Sequence, residues 1–184
     1  MIKLKKIAFL AMTTLALAAC GGSDISVPEI PPVVPVVPVV PPIDAAPHIK
    51  ASVAGTVLKA DSNLSGDNYY RNGRALFTIA GQSAGSPMAS WSFSGIPHQT
   101  GTFVCGTGAG ADIVMMLKDR RSAPALSYFA DGGDGSICSV KVTAVSADEV
   151  SGTFDATMME VEGDGSTSVQ VKNGSFRVQL NGLA

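Results

Sequence analysis

Three side chains of this 184-residue chain can make covalent bonds under mild conditions, the thiols of Cys20, Cys105 and Cys138. Cys20 closes Leu17-Ala18-Ala19-Cys20, a thiol preceded by small residues. Other chemistry finds less support. His48 and His98 are far apart and have no serine or cysteine motif beside them, so a nucleophile–histidine pair could form only in space. The paired Cys/His spacing of a zinc site is missing too. Asp131-Gly132-Gly133-Asp134-Gly135 and Glu162-Gly163-Asp164-Gly165 offer oxygen ligands in tight turns. Neither matches the twelve-residue calcium loop, and glycine and aspartate make turns without any ion. Gly106-Thr107-Gly108-Ala109-Gly110 lacks the glycine spacing of a nucleotide loop, and no helical pattern follows it. Tyr69, Tyr70 and Trp91 could stack on sugars, but Trp91 alternates with Phe93 as a core residue does. These residues call for no catalytic group, no metal and no cofactor, and they single out no ligand-binding residue.

The residues ahead of Cys20 say more. Lys3, Lys5 and Lys6 make a basic start, and Ile7–Leu17 is an apolar run of eleven residues. As a helix that run would rise only about 16 Å, too short for the roughly 30 Å of a bilayer's hydrocarbon core. The order of basic start, apolar run and small residues before a cysteine resembles the signal peptide and lipobox of bacterial lipoproteins. The alternative is an ordinary secretory signal that carries a cysteine near its end. The resemblance implies that Cys20 receives a diacylglycerol, that residues 1–19 are removed, and that the new amine is acylated. Each buried methylene contributes about 0.8 kcal/mol, so two or three chains on one residue hold effectively permanently. Gly21 after the cysteine, in place of Asp, implies delivery to the outer membrane, facing the periplasm or the cell surface. The implied partner is therefore the membrane itself, reached through the lipid on Cys20.

Composition fits an exported chain. Without residues 1–19 and their three lysines, ten basic residues face fifteen acidic ones, a net charge near −5. That argues against a non-specific nucleic-acid surface, which needs clustered Lys and Arg, and it means that charge does not hold the protein to anionic lipid. With Cys20 committed to lipid, Cys105 and Cys138 remain as an even pair, plausible disulfide partners in an oxidising compartment. Each shares a strand face with an apolar residue, Phe103 for one and Val140 for the other. A bridge would close 34 residues counted inclusively. The alternative is two separate buried thiols.

Residues 20–47 form a lipidated cysteine and a tether. Pro28 to Pro47 holds eight prolines, and Pro32-Val33-Val34-Pro35-Val36-Val37-Pro38-Val39-Val40-Pro41 repeats every three residues. That period matches polyproline II, while helix and sheet ladder are excluded by the missing donors. At about 3.1 Å per residue the segment reaches roughly 60 Å as a semi-rigid spacer. A second reading is a docking segment for an aromatic groove on a partner.

From His48 to Ala184 the pattern becomes short alternating runs separated by Gly, Asn, Asp and Ser, which predicts one all-β domain, an antiparallel β-sandwich or small barrel. Ile49–Lys59 reads as a first strand. Asn68–Arg71 and Arg74–Ala80 read as a hairpin across Asn72-Gly73. Ala89–Ser94, Thr102–Cys105, Ile113–Leu117 and Leu126–Phe129 follow as strands. Asn173-Gly174 signals another hairpin, with Val171 opposite Phe176 and Val169 opposite Val178. Upstream, Val142 is matched with Phe154 and Val140 with Ala156, and Met158-Met159 is the expected place for a bulge. A further hairpin runs through Gly163-Asp164-Gly165. These runs together predict a four-stranded C-terminal meander.

Val150-Ser151-Gly152-Thr153-Phe154, followed by Val169, Val171 and Asn173-Gly174-Ser175-Phe176, resembles an uncharacterised β-domain of bacterial surface lipoproteins, with Gly101-Thr102-Phe103 as an earlier matching strand. The resemblance spans roughly residues 49–180 and brings no catalytic residues with it. The expectation is a lipid-anchored envelope lipoprotein that displays a non-catalytic β-domain for protein contact or a structural role in the envelope. Its partner would be an envelope protein or a glycan. The alternative is a carbohydrate- or calcium-dependent binding module. An exposed aromatic platform would favour sugar binding, whereas an apolar-filled interior without a cleft favours contact or structure.

Overall fold

Two-residue turns set the first hairpins. β1 (His48–Val53) and β2 (Thr56–Ala60) join through Ala54-Gly55, and β3 (Ser62–Arg71) and β4 (Arg74–Gln82) through Asn72-Gly73. All four turn residues have positive φ, between 49° and 81°, as a type I′ turn requires. Val53 therefore faces Thr56 and Arg71 faces Arg74. The hairpin expected at Asn72-Gly73 is present. The single strand expected over 49–59 is instead two strands, because Ala54 accepts the left-handed conformation beside Gly55.

The computed structural model describes residues 46–85, 88–162 and 167–182, all of which fall within one unit, Pro41–Ala184. The signal segment 1–19, Cys20, the tether up to residue 45 and the turn at 163–166 lie outside the described residues. The remaining strands are β5 (Ala89–Pro97), β6 (Gly101–Val104), β7 (Val114–Asp119), β8 (Leu126–Ala130), β9 (Ile137–Val145), β10 (Glu149–Glu160) and β11 (Ser168–Gln179).

The sheet runs β2-β1-β11-β10-β8-β7-β5-β4-β3, with β9 also on β10 and β6 outside β9. Every named pairing is antiparallel. Its two outermost strands, β2 and β3, are separated only by Asp61, so one bent strand supplies both edges and the sheet rolls into a nearly closed barrel. The Asp61 amide donates to the Gln82 carbonyl across that corner (3.0 Å). A seam after β11 adds to the closure. The Asn181 amide donates to the Gly66 carbonyl (2.7 Å), and its side-chain amide donates to Asp67 Oδ1 (2.8 Å). Closure leaves few unpaired edges for other chains to extend.

Inside, the alternating residues of nearly all strands meet in one cluster. Trp91, Phe93, Phe154 and Phe176 form its centre, with Phe93 and Phe154 rings 4.8 Å apart and edge-on. The interior is thus filled by side chains.

The C-terminal meander has three strands, β9, β10 and β11, rather than four. Asn173-Gly174 is not a hairpin turn. β11 runs straight through it, paired with β1 on one side and β10 on the other. A type I′ turn needs positive φ at both central residues, and here only Asn173 has it (54°). The extra residue is a bulge that both neighbouring strands register. The Asn173 amide it exposes donates to Asp155 Oδ1 (2.9 Å). The bulge expected at Met158-Met159 is therefore at Asn173, while Met158 and Met159 pair regularly with Val169 and Ser168. Val171 faces Ala156 and Phe176 faces Gly152, in place of facing each other. Between β9 and β10 the register differs by two from the expected one. Val140 faces Phe154 and Cys138 faces Ala156, so each side chain keeps its predicted face.

Candidate functional site

Strand pairing puts Cys105, just past β6, directly beside Cys138 of β9. The two are joined as a disulfide, with Cα atoms 5.2 Å apart and the Cys105 amide donating to the Cys138 carbonyl (2.9 Å). Both are buried. The bridge holds the Gly106–Gly110 loop, where Gly110 presses against the Val104 carbonyl so closely that a Cβ would stand 2.3 Å from it. These thiols are a staple for the loop.

One histidine does meet a serine in space. His48 Nε2 lies 3.1 Å from Ser175 Oγ, and its Nδ1 lies 2.8 Å from the Ala46 carbonyl. A carbonyl stands where a catalytic pair would have an orienting carboxylate, and His48 is buried. The ring ties residue 46 to β11. His98 hydrogen-bonds the Ser146 carbonyl (3.1 Å) and sets its ring edge-on to Phe77.

The aromatic and acidic candidates are absorbed by the fold. Trp91 is in the core, and the Tyr69 hydroxyl accepts the Gly95 amide (3.0 Å) where a bulge opens β5. Tyr70 is the one exposed aromatic among the described residues, which makes no platform. In the Asp131–Gly135 turn, Asp131 Oδ1 accepts the Gly133 amide (2.8 Å) and lies 3.2 Å from the Ser136 hydroxyl. Among the described residues no three His, Cys, Asp or Glu side chains gather as metal ligands. The second acidic turn, Glu162 to Gly165, runs into residues outside the description.

An ion pair on a buried carboxylate escaped the sequence reading. Arg121 donates through Nε and Nη2 to both oxygens of Asp119, at 3.0 and 2.6 Å. Burial alone would raise the Asp119 carboxyl, but the hydrogen bonds and charge of Arg121 outweigh it and hold it below the ordinary value. Burial raises the nearby Tyr128 hydroxyl. The signal was present, since Met115, Leu117 and Asp119 share the inward phase of β7. A charge in that phase must bring a partner.

With the interior filled, the outer surface is what remains. Beside the Asn173 bulge, the outward side chains of β9, β10 and β11 frame an open concavity of about 340 Å³. Ile137 lies on its rim with Ser139, Asp155, Thr157, Gln170 and Lys172. Gln170 donates to Thr157 across the strands (2.9 Å). A bulge re-aims side chains, and Asp155 and Lys172 both line the hollow beside this one. Fold and surface together define an antiparallel barrel whose accessible chemistry lies on its outside. No protein-family model matches the chain, and no curated protein or solved structure is significantly similar to it.

Proposed function

We propose that the chain is a lipid-anchored envelope lipoprotein whose barrel is a non-catalytic contact or structural module. The anchor is Cys20, the tether is the Pro/Val-rich segment, and the outer membrane is the place of attachment. The observation that carries the module's role is the filled interior. Buried Trp91, Phe93, Phe154 and Phe176 occupy the space in which a barrel would hold a small ligand, so recognition falls to the outer face. The sequence before Cys20 supports the anchor, because a thiol after small residues is what thioether formation and cleavage need.

Cys20→Ser tests this reading. It is expected to abolish labelled palmitate incorporation and to release the barrel from membranes or leave an uncleaved precursor. Unchanged palmitate labelling in that variant would sink the anchor. In-cell crosslinking of the wild type, followed by identification of what co-purifies, tests the contact role. Recovery of the monomer alone would count against it.

A further inference from the structure

Asn-Gly occurs three times in the chain, at Asn72-Gly73, Asn173-Gly174 and Asn181-Gly182. In this pair the asparagine side-chain carbonyl carbon and the next backbone nitrogen can close a ring, because glycine has no side chain to block the approach. Closure needs a backbone that can turn that nitrogen toward the side chain. The fold therefore decides which of the three reacts.

At Asn173 the attacking nitrogen is locked. Gly174 is buried in β11, aligned with Phe154 of β10, and β1 pairs along the other side of the strand. The Asn173 amide donates to Asp155 Oδ1 (2.9 Å), and the Phe154 carbonyl and ring leave no room at Gly174 even for a methyl group. Asn181 is tied at three atoms. Its amide donates to the Gly66 carbonyl (2.7 Å), its carbonyl accepts Asn68 Nδ2 (3.2 Å), and its side chain donates to Asp67 Oδ1 (2.8 Å). Releasing it means opening the seam of the barrel. Asn72 has neither restraint. It is exposed with Gly73 at the tip of the β3–β4 hairpin, nothing stands within 4 Å of where a Gly73 Cβ would be, and among the described residues none hydrogen-bonds its side chain. Opening this turn disturbs only the Arg71–Arg74 pair beneath it. Exposed tips open at little cost, whereas a central strand opens at close to the full unfolding free energy.

We propose that Asn72 is a site of spontaneous covalent modification, at which water converts the asparagine through a succinimide to aspartate or isoaspartate. The Gly73 backbone nitrogen attacks Asn72 Cγ and forms a carbon–nitrogen bond there. The bond from Cγ to the side-chain nitrogen breaks, and that nitrogen leaves as ammonia, carrying the proton that Gly73 gives up. Water then opens the ring. Attack at Cγ restores the normal backbone with an Asp side chain, whereas attack at the main-chain carbonyl sends the backbone through the side chain, one methylene longer. No oxidant or reductant is consumed. Arg71 and Arg74 bracket the pair and share the one carboxylate of Asp112 (3.5 and 3.1 Å). Their positive charge favours the deprotonated nitrogen that attacks. An isoaspartate here lengthens a two-residue turn that sets Arg71 opposite Arg74.

The test compares the folded and the denatured chain. The full chain is incubated in mildly alkaline buffer, with and without guanidinium chloride, and followed by peptide mass mapping and isoaspartate-specific methylation. In native buffer Asn72 is expected to convert more than about tenfold faster than Asn173 or Asn181. In denaturant, where no strand restrains any of them, the three are expected to convert within about threefold of one another. Asn72→Gly keeps a residue that accepts positive φ and removes the reactive amide, so its native samples are expected to gain no isoaspartate at the turn. The proposal is overturned if Asn173 or Asn181 converts as fast as Asn72 in native buffer, or if Asn72 stays intact there while the denatured chain converts. It is equally overturned if Asn72→Gly gains as much isoaspartate as the wild type, or if the native order persists unchanged in denaturant, which would take the selection away from the fold.

Discussion

An alanine at Gly174 would place its methyl 2.4 Å from the Phe154 carbonyl oxygen and 2.7 Å from two atoms of the Phe154 ring. The ring has no room to yield, since its centroid lies 4.8 Å from that of Phe93 and 5.5 Å from that of Trp91. The arrangement is reciprocal. Phe154 covers Gly174 while Phe176, two residues on, covers Gly152, where a methyl would stand 2.6 Å from the Phe176 ring and 2.2 Å from the Lys141 carbonyl. Overpacking of a filled core costs typically about 1–3 kcal/mol. Both glycines meet a backbone oxygen and a locked ring at once, which places each alanine variant in the upper half, about 2–3 kcal/mol. At roughly 3–5 °C per kcal/mol for a domain of this size, each variant should melt about 6–15 °C below the wild type. Gly85→Ala, which meets nothing within 4 Å, is the control and should stay within about 0.5 kcal/mol. Phe154→Leu should relieve part of the Gly174→Ala penalty by removing the ring but not the carbonyl, a coupling of about 1 kcal/mol in the double-mutant cycle. Thermal melts followed by near-ultraviolet dichroism measure all of these. If Gly174→Ala melts within about 2 °C of the wild type, the glycine–phenylalanine interlock does not hold β10 and β11 together.

Two further outcomes follow from the buried groups. Intact mass under denaturing, non-reducing conditions should show no alkylatable thiol at Cys105 or Cys138, and Cys105→Ser/Cys138→Ser should lose up to about 3–4 kcal/mol by the loop-closure model; two free thiols would refute the bridge. Because Asp119 is held below the ordinary carboxyl value, its contribution is complete above about pH 4 and is lost as pH falls through the folded value. Urea melts should therefore show a gap between wild type and Asp119→Asn at pH 7 that narrows below about pH 4; a gap that is constant with pH would contradict the role given to the Asp119–Arg121 pair.

The all-β class, the strand faces and one hairpin were legible because alternation of period two and the Asn72-Gly73 turn act locally. What failed was register. Asn173-Gly174 carries the same dipeptide as a type I′ turn, yet it lies in a strand with partners on both sides. Its glycine is needed for the close approach of Phe154 rather than for a turn. No local pattern separates those two uses of glycine, because the ring that covers it comes from another strand. The two-residue difference in β9–β10 register has two halves, one at the turn between Val145 and Val150 and one inside the strands. Thr143 is an unpaired residue opposite the step from Ser151 to Gly152, with its hydroxyl on the Ser151 carbonyl (3.1 Å). A slip of two leaves every face unchanged, so hydrophobic alternation cannot detect it.

The outer face was hidden for a different reason. Net charge counts every residue equally, and an acidic total of −2 argues against attraction to an anionic surface. Strand alternation sorts charges by phase, however, and register then sorts them by neighbour. Lys118, Lys141 and Lys172 come from three strands separated in sequence by loops, and each falls in the outward phase of its own strand. The acids beside them are placed by the same two rules. Asp119 turns inward to Arg121, Asp131 is used by its own turn, and Asp155 accepts the amide of the Asn173 bulge. Asp155 nonetheless faces outward on β10, the strand between those of Lys141 and Lys172, and an amide donor leaves its charge in place, so the outer face carries both signs. The local surface, and not the total, is what a partner meets.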